Sequence, residues 1–264
     1  MWCGGSQDKA SVLTFSAFNH DGSYSPITEE SIVFRPYDAS DSWGTEDPRM
    51  QYNEADGLYY MFYTAYNGSS ILLNLATSPN PISPDSWTRR GPVFPSVQGS
   101  KSAALLLRSS PPHYLLWGDH DILIAKSDDP TVWPDIGTTL LQVRPDHFDS
   151  KLVESGPPPL LLSSGDYLFF DNSAQVGWPD DLSTSYNVGW VIFDGADPTS
   201  IKQRSETPLF SPVMSWEKGE EPYTCHAPNV VFLEAARPLG DDVFEVYFGG
   251  ADAVIGSAIF EVTF

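Results

Sequence analysis

Four aromatic β-runs, each flanked by two further apolar runs in the same order, predict an all-β fold, a five-bladed β-propeller with a short first blade. Strand, turn, strand, turn, strand recurs at roughly 50 to 75 residues, a spacing that fits propeller blades. Composition agrees: aromatics make up 13% of the 264 residues, with 20 Gly and 23 Pro, which suits short strands and tight turns better than a helical bundle. No stretch sustains a 3.6-residue apolar period. A β-sandwich also needs many short strands, but the repeated three-run unit favours the propeller.

Taken in order, residues 11–18 and 32–34 supply the short first blade. The second rests on runs 50–52, 59–63 and 71–77, with Glu54-Ala55-Asp56-Gly57 as the turn between its first two. Runs 103–107, 114–117 and 122–126 make the third, with Pro111-Pro112 breaking its first pair. The fourth uses 159–162, 167–170 and 188–193 around the turn Ser163-Ser164-Gly165-Asp166, and the fifth 229–233, 244–248 and 254–260. The third run of a blade leads into a polar turn carrying Pro, as in Ser78-Pro79 before Trp87, Asp129-Pro130 before Trp133, and Asp197-Pro198. Residues 1–10 read as a tail and 11–264 as a single domain.

The net charge of −21 argues against nucleic acid and anionic membranes as partners, since both would be repelled. No apolar run approaches the roughly 20 residues that span a bilayer, and Met1-Trp2-Cys3-Gly4-Gly5 lacks the basic and apolar regions of a signal peptide, so the default location is cytoplasmic. Cys3 and Cys225 are too few for a disulfide framework or a zinc site. His120 between Asp119 and Asp121 has no further spaced ligands and reads as a solvated turn, so no metal is expected.

The chemistry-bearing run is Thr45-Glu46-Asp47-Pro48-Arg49, a carboxylate and a guanidinium in a tight Pro turn ahead of Tyr63-Thr64-Ala65-Tyr66. Asp-Pro is also a common turn opener whose carboxylate bonds local backbone N–H groups. Together with Leu75-Ala76-Thr77-Ser78, Glu154-Ser155-Gly156-Pro157-Pro158-Pro159, Pro228-Asn229-Val230-Val231-Phe232 and Gly249-Gly250-Ala251-Asp252, in that order, the chain resembles glycoside hydrolase family 130. The resemblance runs from about residue 11 to the end.

It implies a five-bladed propeller acting on β-mannosides with inversion, by phosphorolysis or hydrolysis, with an oligosaccharide as partner. It implies that Asp47 is the acid, protonating the glycosidic oxygen through a mannose hydroxyl, and that Asp252 holds the sugar beside the scissile bond. Arg49 would fix the Asp47 turn or reach ligand. Tyr66, Lys101, Asn172, His226 and Asn229 complete the substrate-contact candidates. The sequence departs from the family's phosphate-binding pattern where Phe15-Ser16-Ala17, Trp117-Gly118 and Asp171-Asn172-Ser173 stand in place of cationic runs. Fewer cations weaken the hold on a divalent anion, which tilts the expectation towards hydrolysis. An inverting hydrolase needs a carboxylate base with room for water, and Glu154, Asp171 and Glu221 are the candidates. No cofactor is implied beyond inorganic phosphate as co-substrate in a phosphorylase. A sugar-binding propeller without turnover, and a furanosidase-type propeller, are the alternatives.

Overall fold

The computed structural model describes residues 10–18, 23–175, 185–223 and 227–263. They form two compact units, Trp2–Lys101 and Ser102–Phe264. Each is built from antiparallel sheets taken up in chain order, and together the units hold five sheets, one for each expected blade.

In the first unit, β1 (Leu13–Thr14) and β2 (Ile32–Phe34) make a two-stranded sheet, the short first blade. Then β3 (Gly44–Asn53), β4 (Leu58–Tyr66), β5 (Ile71–Ser78) and β6 (Thr88–Pro92) form the second sheet in sequence order. Phe34, Met61, Tyr63, Ala65 and Ala76 bury against one another between the two sheets. Arg89 ties them further: its guanidinium lies 3.3 Å from the centroid of the Phe34 ring and pairs with Asp41 at 3.2 Å. Tyr63 is 2% exposed and its hydroxyl joins this network through Asn74 and Arg89, so it packs the blade.

The second unit opens with β7 (Ala104–Leu106), β8 (His113–Trp117), β9 (Ile122–Ser127) and β10 (Thr138–Leu141), again in order. The fourth sheet runs β11 (Leu152–Ser155), β13 (Tyr167–Ala174), β14 (Tyr186–Phe193) and β15 (Ile201–Arg204), with β12 (Leu160–Leu161) pairing the other end of β13. The fifth is β16 (Val231–Gly240), β17 (Val243–Gly250) and β18 (Val254–Glu261), three strands among the described residues. One apolar cluster, including Leu116, Val153 and Phe193, lies between the third and fourth sheets. A second, including Val188, Leu233, Phe244 and Phe248, lies between the fourth and fifth.

Asn172, a substrate-contact candidate from sequence, has a different task. It is fully buried on β13; its Nδ2 donates to the Leu233 carbonyl at 2.9 Å and its Oδ1 accepts the Leu233 N–H at 2.7 Å. The amide thus completes the backbone pairing of β16 across two sheets and is spent on that clamp. Asn172→Ala strands both Leu233 groups in the core, and a loss of about 2–4 kcal/mol is expected in denaturant unfolding.

Candidate active site

Asp47 does not sit in a turn ahead of a strand. β3 continues through it: Glu46 pairs Thr64 and Arg49 pairs Phe62, so Asp47 and Pro48 together face the single residue Tyr63. This is a β-bulge, a device that re-aims a side chain. It also accommodates Pro48, which cannot donate to a ladder. The Asp47 backbone is left-handed, with φ +49°, a conformation Asp tolerates better than most residues. Arg49, 1% exposed, closes the bulge by donating from Nη1 to the Asp47 carbonyl at 2.9 Å. Of its two expected roles, fixing the Asp47 backbone is the one seen.

Asp47 itself is half-buried. Burial raises its carboxyl, and the charges of Arg49 and Lys101 are among those that act against that shift. Beside it, Glu46 is 3% exposed and accepts a hydrogen bond from Ser11 Oγ at 2.8 Å. Burial pushes the Glu46 carboxyl up; the Ser11 bond and Lys101 oppose the shift, and the Asp47 charge adds to it. Half-buried Tyr66 ends β4 with its ring edge-on to Trp43, centroids 6.0 Å apart. The first unit thus brings Asp47, Arg49 and Lys101 into one electrostatic cluster, with Glu46 as a fourth member. In the sequence Glu46 stands only as part of the Glu46-Asp47-Pro48-Arg49 motif; its signal is a carboxylate next to the Asp-Pro and two residues after Gly44.

In the second unit, Asn229 and Asp252 occupy one end of the fifth sheet. Both are left-handed, with φ +59° and +52°, and the Ala251 N–H donates to the Val230 carbonyl at 3.0 Å, tying the two turns together. A short helix α1 (Ser215–Lys218) props this end: the Val230 N–H donates to the Glu217 carbonyl at 3.0 Å. Gly250 lets it approach, since a Cβ there would run into the Trp216 ring. Three sequence-predicted residues therefore share costly backbone, a feature that clusters at functional sites. His226 lies outside the described residues.

The proposed bases are placed unfavourably. Glu154 is 2% exposed on β11 and accepts Ser102 Oγ at 2.5 Å. Asp171 is 1% exposed on β13, bonded by Ser173 Oγ, and sits against Gly189, where a Cβ would lie 2.8 Å from both carboxyl oxygens. Burial raises its carboxyl above the ordinary range; the Ser173 bond and the charges of Arg204 and Arg144 oppose the shift, and the Asp149 charge adds to it. A base needs access to water and a ready anion, and Asp171 has neither. Glu221 is exposed, in a loop after α1. His120, 68% exposed, lies 3.3 Å from an Asp121 carboxylate that also accepts the Val143 N–H, as in a solvated turn.

The family profile described as beta-1,4-mannooligosaccharide phosphorylase, that of glycoside hydrolase family 130, matches residues 8–263. A 1,2-beta-oligomannan phosphorylase of Thermoanaerobacter sp. (strain X514) is 35% identical over 224 residues, 83% of this chain and 69% of the relative. A beta-1,2-mannobiose phosphorylase of the same strain is 28% identical over 245 residues, covering 89% and 75%. Among solved structures, one described under a family of mannoside phosphorylases that contains glycoside hydrolases targeting beta-1,2 mannosidic linkages in Candida mannan matches with a TM-score of 0.80. Its identity is 27%, over 97% of this chain and 77% of its own. With its blade-ordered sheets and the Asp47 bulge in place, the chain belongs to glycoside hydrolase family 130, the β-mannoside-active enzymes, and has their β-propeller fold.

Proposed function

We propose that the chain cleaves β-1,2-linked mannooligosaccharides by inverting phosphorolysis. The observation that carries this reading is the bulged Asp47 with Arg49 and Lys101 beside it, a carboxyl embedded in positive charge. Asp47 delivers its proton through a hydroxyl of the bound mannose to the glycosidic oxygen. The bond from that oxygen to the anomeric carbon breaks, and a phosphate oxygen bonds to that carbon from the opposite face. The products are α-mannose 1-phosphate and a shortened oligosaccharide.

The charge around Asp47 supports the phosphate. In the free site the cations favour the carboxylate, which is the wrong form for an acid. A phosphate dianion beside them offsets their field and returns Asp47 towards its protonated form. The relatives at 35% and 28% identity are named as phosphorylases, and two of the carboxylates a hydrolase would use as base are buried. Asp171, whose charge would have repelled phosphate, is buried, and burial favours its neutral form. Hydrolysis is the second reading, favoured by Phe15-Ser16-Ala17 and Trp117-Gly118 where cationic runs stand in the family.

Incubation of β-1,2-mannobiose and longer β-mannosides with and without inorganic phosphate decides between them. Mannose 1-phosphate formed only with phosphate is the expected result. Free mannose at equal rates in both conditions establishes hydrolysis, and neither product moves the sugar-binding propeller forward.

Asp252 holds the sugar as an ionised acceptor of hydroxyl hydrogen bonds. Asp252→Asn keeps a residue that tolerates φ +52° and removes the charge. KM for the mannoside rises by about 10–100-fold, as for loss of a charge-assisted hydrogen bond, with a smaller change in kcat. An unchanged KM removes Asp252 from the sugar subsite.

A further inference from the structure

We infer that Glu46 is a positioning residue that sets the aim of Asp47; this rests on the reading of Asp47 as the acid. Three features build a site around its carboxyl. Ser11 is docked alongside β3, its N–H donating to the Trp43 carbonyl at 3.2 Å and its carbonyl accepting the Thr45 N–H at 3.1 Å. From that anchor its hydroxyl donates to Glu46 Oε1 at 2.8 Å. Gly44 leaves the space open: a Cβ there would lie 2.8 Å from Glu46 Oε1 and 3.0 Å from Ser11 Cβ. The third is burial, with Glu46 only 3% exposed.

Glu46 is the last residue in ladder register before the bulge, since Thr64 pairs with it and the next paired residue is Arg49. Fixing its side chain therefore fixes the backbone from which Asp47 departs. Electrostatics adds a second effect. The groups acting on Glu46 include the Asp47 carboxyl, the Lys101 ammonium and the neutral Ser11 hydroxyl. Burial and the Asp47 charge both favour its neutral form, so of the two adjacent carboxyls Asp47 ionises first. Neighbouring carboxyls do not titrate independently. Glu46 therefore stays neutral while Asp47 ionises, and it accepts the Ser11 hydroxyl without placing a second negative charge beside the acid.

The test uses the full chain with 13C-labelled carboxyl groups, titrated by NMR as wild type, Glu46→Gln, Asp47→Asn and Ser11→Ala, alongside the pH profile of β-1,2-mannobiose phosphorolysis. Glu46→Gln keeps an oxygen for Ser11 and cannot ionise. Its kcat stays within about twofold of wild type across the profile, while Glu46→Ala, which leaves the Ser11 hydroxyl without its acceptor, lowers kcat by about 10-fold or more with KM little changed, as for a misaimed acid. In Asp47→Asn the Glu46 midpoint falls, and in Ser11→Ala it rises. A Glu46→Ala kcat within about twofold of wild type, or a loss that Glu46→Gln shares, overturns the inference; a purely structural Glu46 loses thermal stability in Glu46→Ala without that loss of kcat. If the wild type turns over no mannoside, the functional reading fails, and the NMR midpoints in Asp47→Asn and Ser11→Ala still decide the coupling.

Discussion

Asp47→Asn lowers kcat by about 10²- to 10⁴-fold, the span contributed by a positioned general acid, and leaves the fold intact. The variant is informative because of the backbone at this position. With φ at +49°, Asp47 occupies a region where Asn is as well accommodated as Asp, whereas Ala or Leu adds strain. The hydrogen bond that closes the bulge runs from Arg49 to the Asp47 carbonyl, not to its side chain, and survives the substitution. The thermal midpoint is expected to stay within roughly 2 °C of wild type. An amide of the same shape cannot deliver a proton, so the loss falls on kcat and kcat/KM together, with KM little changed. Turnover within a few-fold of wild type would remove Asp47 from the chemistry and leave the bulge as a structural feature.

The parts of this molecule visible in its sequence follow from how each strand is buried. The second and third strands of each blade, such as β4, β8 and β17, carry dense aromatic and aliphatic runs and can be read directly. The first strands are mixed: the runs 103–107 and 229–233 anticipate β7 and β16, but two others are obscured. β11 holds only Leu152 and Val153 before Glu154 and Ser155, and its polar half hides it. β3 reaches back through Pro48 because a bulge admits proline, while the local sequence favours a turn. Side-chain direction was lost for a related reason. Every residue of β13 after Tyr167 is buried, so the two-residue alternation that separates one face from the other has no contrast there. Asp171 and Asn172 are consecutive polar residues in that strand, and nothing local shows that one is buried against Gly189 with Ser173 on its carboxyl and the other clamps Leu233. Asp47, Arg49 and Asp252 stood out as candidates because their motifs stand in the family's order; Glu46 needed Ser11, 35 residues away, to show what holds it.

Asp149→Asn destabilises the fold by about 3 kcal/mol. Asp149 is fully buried and takes a hydrogen bond from Arg144 Nε at 2.8 Å and one from Arg204 Nη2 at 2.5 Å. The two guanidiniums reach on to backbone carbonyls, Arg144 to Ser205 and Arg204 to Gln142, so the cluster stitches the loop before β11 to β15. An amide keeps the shape of Asp149 but leaves two cations beside it without their shared anion. The arginines retain side-chain exposures of 20% and 14%, so water relieves part of the penalty and the lower end of the usual 3–5 kcal/mol applies. In a chain of this size that lowers the thermal midpoint by roughly 6–12 °C. Asp171 acts in the opposite sense. Its folded carboxyl is held above the ordinary value by burial, with the Asp149 charge adding to the shift and Ser173, Arg204 and Arg144 opposing it. A group raised in this way contributes stability that is complete below its unfolded value, about 3.9, and lost as pH rises through its folded value. Asp171→Asn removes that titration: its stability falls less than wild type from about pH 4 upward, and at neutral pH it is at least as stable. A variant with the wild-type slope would show that Asp171 remains ionised in the folded chain, with Arg144 and Arg204 serving both carboxylates.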